Sequence, residues 1–538
     1  MNGKNTVRCT CNLPRAVWLI VAVFVLQMTA QLASTPLGEG MDSYGHWSYI
    51  AFFAREGRPP KPGELSMPAD IVRLNEARPP ASRRPGTYRN WAALGPDERQ
   101  VARAEMLRPL PAAPYVGGNT QAQHPPFYYA VMSLPYRILR HMRLDHQAFL
   151  LSFISILVAS SAFPALFLIL RRFVSPQAAL MMTACIAWFP NLMGYLGRIT
   201  NDTFAFPLYA WLAYFLTCEE SAKKQQALAG LALTLGIMTK SYFLTAVPVY
   251  FMAAAFPSAL PGAGVTGRAR GVFRAILLTV AVLLAPLFLN YLYSGHLVPM
   301  RQLVRTSEAS MTSKLVEMLH VNAWWFVSGL AKGFFWSGFW SFVSPGALFY
   351  VPLLVIPLLF ILRTLKQPLV LGWSELRHLR VHYAMILCFL AGLWVYAGLY
   401  RVDALSQGHA PTQGNEGWYL NVLFGSIAAI LAAWCSVCFK EQSLLRILKS
   451  AMGLFIVWNL WARLTMIAFW SGLAEPLGRL RAVSFPRVVE TLQTAQAWEN
   501  WQSLPGVIGP GGWTVLLSLA MAIGLTLMVT GKNRATAE

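Results

Sequence analysis

Apolar segments of bilayer-spanning length recur along almost the whole chain, and no other sequence feature restricts its fold as strongly. A transmembrane helix needs about 20 mostly apolar residues, and about twelve segments approach that length. The chain is 56% hydrophobic and only 12% charged, whereas soluble domains carry about 25% charged residues. We therefore predict an all-α polytopic membrane protein with a bundle of about 12 transmembrane helices. The predicted spans are residues 17–33, 147–170, 177–196, 202–218, 226–239, 242–257, 272–293, 347–363, 382–400, 418–438, 450–470 and 512–530.

Basic residues in the short loops between these spans predict the orientation. Short cytoplasmic loops carry an excess of Lys and Arg, and alternating spans place every basic loop on the same side as Arg8 and Arg15. The formal charge of +21 therefore indicates basic cytoplasmic loops rather than a nucleic-acid partner. We expect a multi-pass protein of the cytoplasmic membrane with both termini cytoplasmic. The basic loops are Arg171-Arg172, Lys223-Lys224, Arg268 to Arg274, Arg363 to Arg380, Lys440 to Lys449 and Lys532 to Arg534.

Long polar segments fall on the opposite, outer side. The longest, residues 34–146, is predicted to contain a helix at 97–107. An amphipathic helix at 126–139 is too short to span, so we expect it to lie along the membrane surface. The aromatic-rich segment 321–342 is either interfacial or re-entrant, and whether it crosses the membrane stays open.

The chain divides into a large and a small region. Residues 1–470 form the main transmembrane region and include the outer loop 34–146. Residues 471–538 add the last transmembrane helix and an outer surface helix, which is indicated by apolar residues at helical spacing from Phe485 to Trp498. The sequence shows no internal repeat.

Polar residues gather at the outer ends of the predicted spans. Asp42 and His46 follow the first span, and residues four apart lie on one face of a helix. Charged groups at membrane ends are costly to desolvate and are often functional. We therefore predict an outer site whose catalytic residues are Asp42 and His46. The predicted substrate-binding residues are His124, Tyr128, Arg198, Asn201, Asp202, Lys240, Tyr242 and Tyr419.

These residue types suit transfer from a lipid-linked phosphate. Arg198 is suited to bind a phosphate through its planar guanidinium fork, and Lys240 is suited to bind it as a point charge. The Asp42 carboxylate is suited to take a proton from an acceptor hydroxyl or amine. The two cations would then stabilise the charge that develops on the leaving phosphate. A sugar on a polyprenyl phosphate is a natural substrate, because its lipid lies in the bilayer while its sugar reaches the outer loop.

Structural interpretations of the same residues stay open. Asp42 is equally suited to cap a helix, and so is the pair Asn201-Asp202. Lys240 is equally suited to extend its side chain to the membrane surface. His46 with Trp47 is also typical of an interfacial belt. His124, which precedes two prolines, is also typical of a structural position. Arg463, inside the eleventh span, either extends outward or lines the path of the lipid phosphate.

Several motifs, in this order, resemble the GT-C superfamily of glycosyltransferases, which use polyprenyl-phosphate sugars and include protein O-mannosyltransferases and the bacterial aminoarabinose transferase of lipid A. The resemblance covers about the first 260 residues and is closest to a poorly characterised bacterial branch. It implies a GT-C-like bundle with interfacial helices in the first outer loop, and Asp42 as a general base or as a ligand of a divalent metal ion. The motifs are Met41-Asp42-Ser43-Tyr44-Gly45-His46, His124-Pro125-Pro126-Phe127-Tyr128-Tyr129, Arg198-Ile199-Thr200-Asn201-Asp202 and Thr239-Lys240.

Two positions depart from the pattern of this superfamily. Ser43 stands where relatives usually have a second acid, which weakens the case for a metal ion. Residues 414–420 read Gly-Asn-Glu-Gly-Trp-Tyr-Leu where relatives show Gly-Arg-Tyr, so an expected phosphate-binding Arg is missing and Glu416 has no assigned role.

The resulting prediction is an outer-face glycosyltransferase. Its partners would be a polyprenyl-phosphate sugar, membrane lipids and a glycan, lipid or protein acceptor. Two alternatives remain open: a transporter or flippase of lipid-linked glycans, and a polymerase or ligase of surface glycans. A transporter is disfavoured because no acid lies deep in a predicted span and no repeat is present.

Overall fold

The structure is a computed structural model that describes most, but not all, of the chain. The described residues are 13–37, 42–77, 91, 93–110, 112–218, 222–255, 265–298, 309–335, 343–344, 373–410, 417–473, 481–482, 485–507, 517, 520–521 and 523–524.

The first half of the chain folds into twelve described α-helices and one small sheet. The strands β1 (Leu65–Pro68) and β2 (Tyr115–Gly118) pair antiparallel. The helices are α1 (Arg15–Ser34), α2 (Ser43–Glu56), α3 (Ala69–Ala77), α4 (Pro96–Met106), α5 (Phe127–Leu139), α6 (Leu144–Ser160), α7 (Ala162–Leu170), α8 (Pro176–Ala187), α9 (Pro190–Leu196), α10 (Asp202–Leu216), α11 (Ala222–Ile237) and α12 (Val247–Ala255).

The second half adds longer helices. The two-residue strands β3 (Val343–Ser344) and β4 (Arg481–Ala482) pair parallel. The described residues also form short 3₁₀ helices at Thr120–Gln123, Ser241–Ala246 and Gly417–Leu423. The described helices are α13 (Val265–Ser294), α14 (Met311–Leu319), α15 (Ala323–Phe334), α16 (Trp373–Ser406), α17 (Phe424–Cys438), α18 (Glu441–Ala468), α19 (Phe485–Leu492) and α20 (Ala495–Ser503).

The predicted all-α polytopic class is confirmed. Among the described residues, six helices are long and apolar enough to cross a membrane, and the bent pair α8–α9 makes a seventh candidate. The six are Arg15–Ser34, Leu144–Leu170, Ala269–Ser294, His378–Ser406, Tyr419–Cys438 and Glu441–Ser471.

The other predicted spans differ in outcome. Spans 202–218, 226–239 and 242–257 are helical, but α10, α11 and α12 contain only 15, 16 and 9 residues. Span 347–363, most of 512–530 and residues 336–342 of the aromatic segment lie outside the described residues.

The span α8–α9 bends by 55° at Pro190. A proline at this position removes a helical donor, so carbonyls before the bend lose their usual partners. Polar side chains of neighbouring helices replace them: Gln27 donates to the Ala187 carbonyl and Asn459 donates to the Trp188 carbonyl. Buried Gln and Asn side chains therefore stabilise the break within an apolar bundle.

Arg463 lies beside this break and is 2% exposed. Its Nη2 donates to the Gln27 carbonyl oxygen at 2.9 Å. The interpretation in which Arg463 extends outward is therefore wrong, because the side chain points into the bundle.

Helix α20 packs against the end of α1 and the polar segment that follows it. The Trp501 indole donates to the Ser34 carbonyl at 3.0 Å, and Arg99 Nη1 donates to Asn500 at 3.1 Å. Gly506 adopts φ +87°, and a Cβ there would lie 2.8 Å from the Leu37 Cβ. The chain after α20 therefore closes onto the end of α1 at a position that only glycine fits well.

Replacing Gly506 by Ala is expected to cost about 2–4 kcal/mol, because a left-handed backbone and an overpacked contact are both penalised. Thermal unfolding of the purified protein in detergent measures the loss. The matched control is Gly57→Ala, because Gly57 has φ +67° with nothing within 4 Å of the added Cβ. Equal losses in the two variants would contradict the close contact with Leu37.

Candidate active site

Helix α2 carries the predicted catalytic pair at its start. Asp42 immediately precedes the helix, and the His46 backbone N–H donates to the Asp42 carbonyl at 3.0 Å. The Asp42 side chain makes no capping hydrogen bond with the helix. The interpretation of Asp42 as a helix cap is therefore wrong, and its half-buried carboxylate is available for other contacts.

His46 packs against helix α5 rather than against the membrane surface. Its Nδ1 lies 2.8 Å from the Tyr129 hydroxyl, and Tyr49 stacks on the Tyr129 ring with the centroids 3.6 Å apart. The His124 ring stacks on His46 at 5.7 Å. His46 and Trp47 are 3% and 2% exposed, which excludes an exposed interfacial belt for this pair.

Both histidines are neutral in the folded protein. Burial, with a smaller contribution from the nearby positive charge of Lys240, lowers the pKa of His124 to about 3. Burial also holds the pKa of His46 well below 6.5, helped by His124, Lys240 and Arg198. Neutral imidazoles both donate and accept hydrogen bonds, so these rings are suited to orient polar groups rather than to bind anions.

The stability of the protein is expected to fall in acid because folding opposes protonation of His124. Above pH 6.5, the pKa of a histidine in the unfolded chain, His124 is neutral in both states and does not lower the free energy of unfolding. As the pH falls from 6.5 toward 3, the pKa of His124 in the folded protein, protonation of the unfolded chain lowers that free energy. In the His124→Gln variant, the slope of the free energy of unfolding against pH should be smaller by up to about 1.4 kcal/mol per pH unit. Unfolding midpoints between pH 7.5 and 4.5 measure this slope. The control is His146→Gln, because His146 is exposed. A slope that is the same in the wild type and in His124→Gln would contradict the role of His124.

The predicted cations meet a buried carboxylate. Lys240 Nζ forms a short ion pair with Asp202 Oδ1, and Arg198 Nη2 lies 3.7 Å from Asp202 Oδ2. All three residues are less than 10% exposed. The interpretations of Lys240 as an extended surface lysine and of Asp202 as a cap are therefore wrong, because the two residues neutralise each other inside the protein.

Hydroxyl groups complete the bonding of Asp202. Tyr195 donates to Oδ1 at 2.9 Å, and Thr200 donates to Oδ2 at 3.0 Å. A buried charge is stable only when it is paired and hydrogen-bonded. Asp202 therefore serves as the counterion that fixes the positions of both cations.

Aromatic rings surround the Lys240 ammonium group. It lies 5.4 Å from the centroid of Tyr242 and 5.6 Å from that of Tyr419, within the range of cation–π attraction. Asp42 lies close enough for its charge to act on both Lys240 and Arg198. The structure thus brings the predicted acid, cations and tyrosines into one region, although they come from distant parts of the sequence.

Two of the predicted substrate-binding residues make framework contacts. The Tyr128 hydroxyl lies 3.4 Å from Ser155 Oγ. The Asn201 amide donates to the Thr239 carbonyl at 3.0 Å. The latter contact joins the turn before α10 to the turn that carries Lys240.

Two further residues were missing from the sequence prediction. Tyr129 binds His46, and Tyr195 binds Asp202. Tyr129 belongs to the His-Pro-Pro-Phe-Tyr-Tyr motif, and its position one residue after Tyr128 was the available signal. Tyr195 belongs to no motif, so the sequence contained no comparable signal for it.

Part of the chain matches a known family of glycosyltransferases. Residues 123–263 match the family described as dolichyl-phosphate-mannose-protein mannosyltransferase. The matched segment contains His124, Arg198, Asp202 and Lys240. It confirms the predicted resemblance to the GT-C glycosyltransferases. No curated protein matches the chain.

Solved structures of two proteins match most of this chain at low sequence identity. ArnT from Cupriavidus metallidurans in the apo state is 11% identical with a TM-score of 0.43, over 96% of this chain and 76% of that chain. ArnT bound to undecaprenyl phosphate is 12% identical with a TM-score of 0.40, over 87% of this chain and 77% of that chain. The Archaeoglobus fulgidus oligosaccharyltransferase in the apo form is 11% identical with a TM-score of 0.39. The match covers 92% of this chain but only 64% of the length of that archaeal enzyme.

The described residues do not fit a divalent metal ion. They contain no group of three or more His, Cys, Asp or Glu side chains placed to hold one. Asp202, the buried acid of the cluster, is already neutralised by Lys240 and Arg198.

Proposed function

We propose that this chain is an integral membrane glycosyltransferase that moves a sugar from a polyprenyl phosphate to an acceptor. The proposed site lies on the outer face of the cytoplasmic membrane, with both chain termini in the cytoplasm. The basic short loops support this orientation. The match of residues 123–263 to a mannosyltransferase family supports the reaction class.

The observation that carries the proposal is the buried cation pair next to Asp42. Lys240 and Arg198 supply two positive charges, and Asp202 supplies one negative charge. The three residues therefore keep a net positive charge, which favours a phosphate. Because the cations are held by a buried counterion, they need little rearrangement when the phosphate binds or when its charge increases.

Asp42 is the proposed general base. Its carboxylate takes the proton of the acceptor hydroxyl or amine as the acceptor oxygen or nitrogen bonds to the anomeric carbon of the sugar. The bond between that carbon and the phosphate oxygen breaks, and its electron pair stays on the phosphate. Lys240 and Arg198 stabilise that charge, so the products are the glycosylated acceptor and the polyprenyl phosphate.

Replacing Lys240 by Ala is expected to weaken donor binding about 10- to 100-fold, because a charge-assisted hydrogen bond to the phosphate is lost. Equilibrium binding of a labelled polyprenyl-phosphate sugar to the purified protein measures it. Exposed Lys224 provides the matched control Lys224→Ala, and Asp202 retains Arg198 as a partner in the Lys240 variant. An unchanged donor affinity in the Lys240 variant would contradict the phosphate-binding role.

Incubation with labelled polyprenyl-phosphate sugars in proteoliposomes tests the reaction class. Release of polyprenyl phosphate together with a labelled acceptor supports transfer. Movement of the intact donor across the membrane without cleavage would instead support the transporter alternative and overturn the proposal.

A further inference from the structure

The turn between α5 and α6 carries a cluster of exposed basic residues. The segment contains a single acid, Asp145, whose carboxylate is already bonded to Arg143 at 2.8 Å and to the His146 backbone N–H at 3.0 Å. Three arginines against one aspartate leave this segment with a net positive charge. The exposed basic residues are Arg137, Arg140, His141, Arg143 and His146.

Apolar side chains are exposed beside these cations. Leu134 is 60% exposed, Ile138 80% and Met142 38%. Leu134 and Ile138 are four residues apart, so they lie on one face of α5, whereas Tyr129 and Tyr136 of the same helix are buried. A helix with an outward apolar face and arginines beside it is typical of a surface that rests among the headgroups of a bilayer.

The position of the turn along the chain agrees with this interpretation. Helix α6 begins at Leu144 and forms, with α7, the membrane-spanning candidate Leu144–Leu170. Arg140 and Arg143 immediately precede this span, so they lie at the depth of the phospholipid headgroups. The excess of basic residues in short cytoplasmic loops does not explain them, because that rule does not extend to long loops such as residues 34–146.

Hydrogen bonds within the protein fix the shape of the turn. The buried Gln147 amide donates to the carbonyls of Arg140 and Met142 at 3.2 and 2.8 Å. The Leu144 N–H donates to the Leu107 carbonyl at 3.0 Å, which joins the turn to the residue that follows α4. The backbone that carries the arginines is therefore held in place before a ligand binds, so less conformational entropy is lost on binding.

We propose that the turn between α5 and α6 binds the headgroup phosphates of anionic phospholipids in the surrounding bilayer. The guanidinium groups of Arg137 and Arg140 donate to the phosphate oxygens. Leu134 and Ile138 contact the acyl chains of the same lipid. An anionic lipid binds more tightly than a zwitterionic one, because its phosphate charge is not compensated within its own headgroup. Binding at this turn is independent of the reaction proposed for the site.

The helix that ends at this turn begins at the candidate active site. The Phe127 N–H donates to the Met238 carbonyl at 2.9 Å, two residues before Lys240. Tyr129 of the same helix contacts His46. A phospholipid bound at the end of α5 therefore contacts the same helix that positions His46.

Site-directed photocrosslinking tests which lipid lies at this turn, without interference from basic residues elsewhere in the protein. The photoreactive residue p-benzoylphenylalanine replaces Ile138 in the full-length protein, which is reconstituted in nanodiscs of equal parts phosphatidylglycerol and phosphatidylcholine. Mass spectrometry of the irradiated protein gives the ratio of the two lipid adducts. The same probe at Leu284, which is 66% exposed on the spanning helix α13, gives the ratio at a position inside a span.

We expect the phosphatidylglycerol adduct to exceed the phosphatidylcholine adduct about tenfold at Ile138 and to equal it at Leu284, since each arginine near the headgroups contributes about fivefold. Arg137→Gln together with Arg140→Gln should reduce the excess to less than about twofold. Arg137→Lys together with Arg140→Lys keeps both charges and should retain most of it. The matched control is Arg446→Gln, which removes an exposed arginine near the start of the spanning helix α18 and should leave the ratio unchanged.

Four results would overturn the proposal. Equal adducts of the two lipids at Ile138 would make the turn a non-selective membrane contact. The absence of any lipid adduct would place it away from the bilayer. An excess that persists in the double glutamine variant would show that the two arginines do not bind the headgroup. Replacement of the phosphatidylglycerol adduct by trace undecaprenyl phosphate would assign the turn to the lipid carrier instead.

Discussion

Replacing Asp42 by Asn is expected to reduce sugar transfer about 10²- to 10⁴-fold, the usual contribution of a positioned general base. The amide has nearly the same shape as the carboxylate but cannot accept the acceptor proton at neutral pH. The Asp42 side chain caps no helix, so its loss should have little effect on folding. Turnover of a labelled polyprenyl-phosphate sugar, measured at saturating donor, reports the change.

Donor binding separates the catalytic role of Asp42 from a binding role. The donor affinity of Asp42→Asn should stay near that of the wild type, since Asp42 is not the proposed phosphate ligand. Asp97→Asn is the control, because Asp97 is an exposed acid in the first turn of α4. Full transfer activity in Asp42→Asn would show that this carboxylate is not the base.

Asp202→Asn should destabilise the protein by about 3–5 kcal/mol, because removal of one member of a buried ion pair leaves its partners uncompensated. Lys240 and Arg198 would both stay buried without their counterion. The bonds from Tyr195 and Thr200 would also lose a charged acceptor. Unfolding in detergent, followed by heat or denaturant, measures the loss.

A second substitution tests whether charge is the cause. Adding Lys240→Met to Asp202→Asn removes one uncompensated cation and should restore part of the lost stability. The control is Glu64→Gln, which breaks the exposed pair with Arg58 and should cost less than about 1 kcal/mol. A double variant no more stable than Asp202→Asn alone would contradict the ion-pair explanation.

The positions of the helices were predictable because the signals are local. Apolar length places a span within a short window of sequence, and the predicted span 418–438 coincides closely with the helical segment Tyr419–Cys438. Helix length was less predictable. Residues 202–218 and 226–239 are apolar enough to predict spans, yet α10 and α11 are too short to cross as straight helices.

The candidate site was predictable in its members but not in its bonding. Asp42, Arg198 and Lys240 are recognisable in the sequence because charged residues at span ends are costly to desolvate and are often functional. Nothing local showed that Asp202 pairs with Lys240, 38 residues away, or that His46 contacts Tyr129, 83 residues away. Their functional roles remain predictions.

The sequence by itself determined the membrane class, the order of the helices and the set of polar residues near the predicted outer face, since hydrophobic length and charge are properties of short segments. Only the tertiary structure decided which charges neutralise each other and which aromatic side chains pack around His46 and Lys240. The physical reason is that a buried charge or donor takes the partner that packing brings to it, and packing depends on contacts between distant helices.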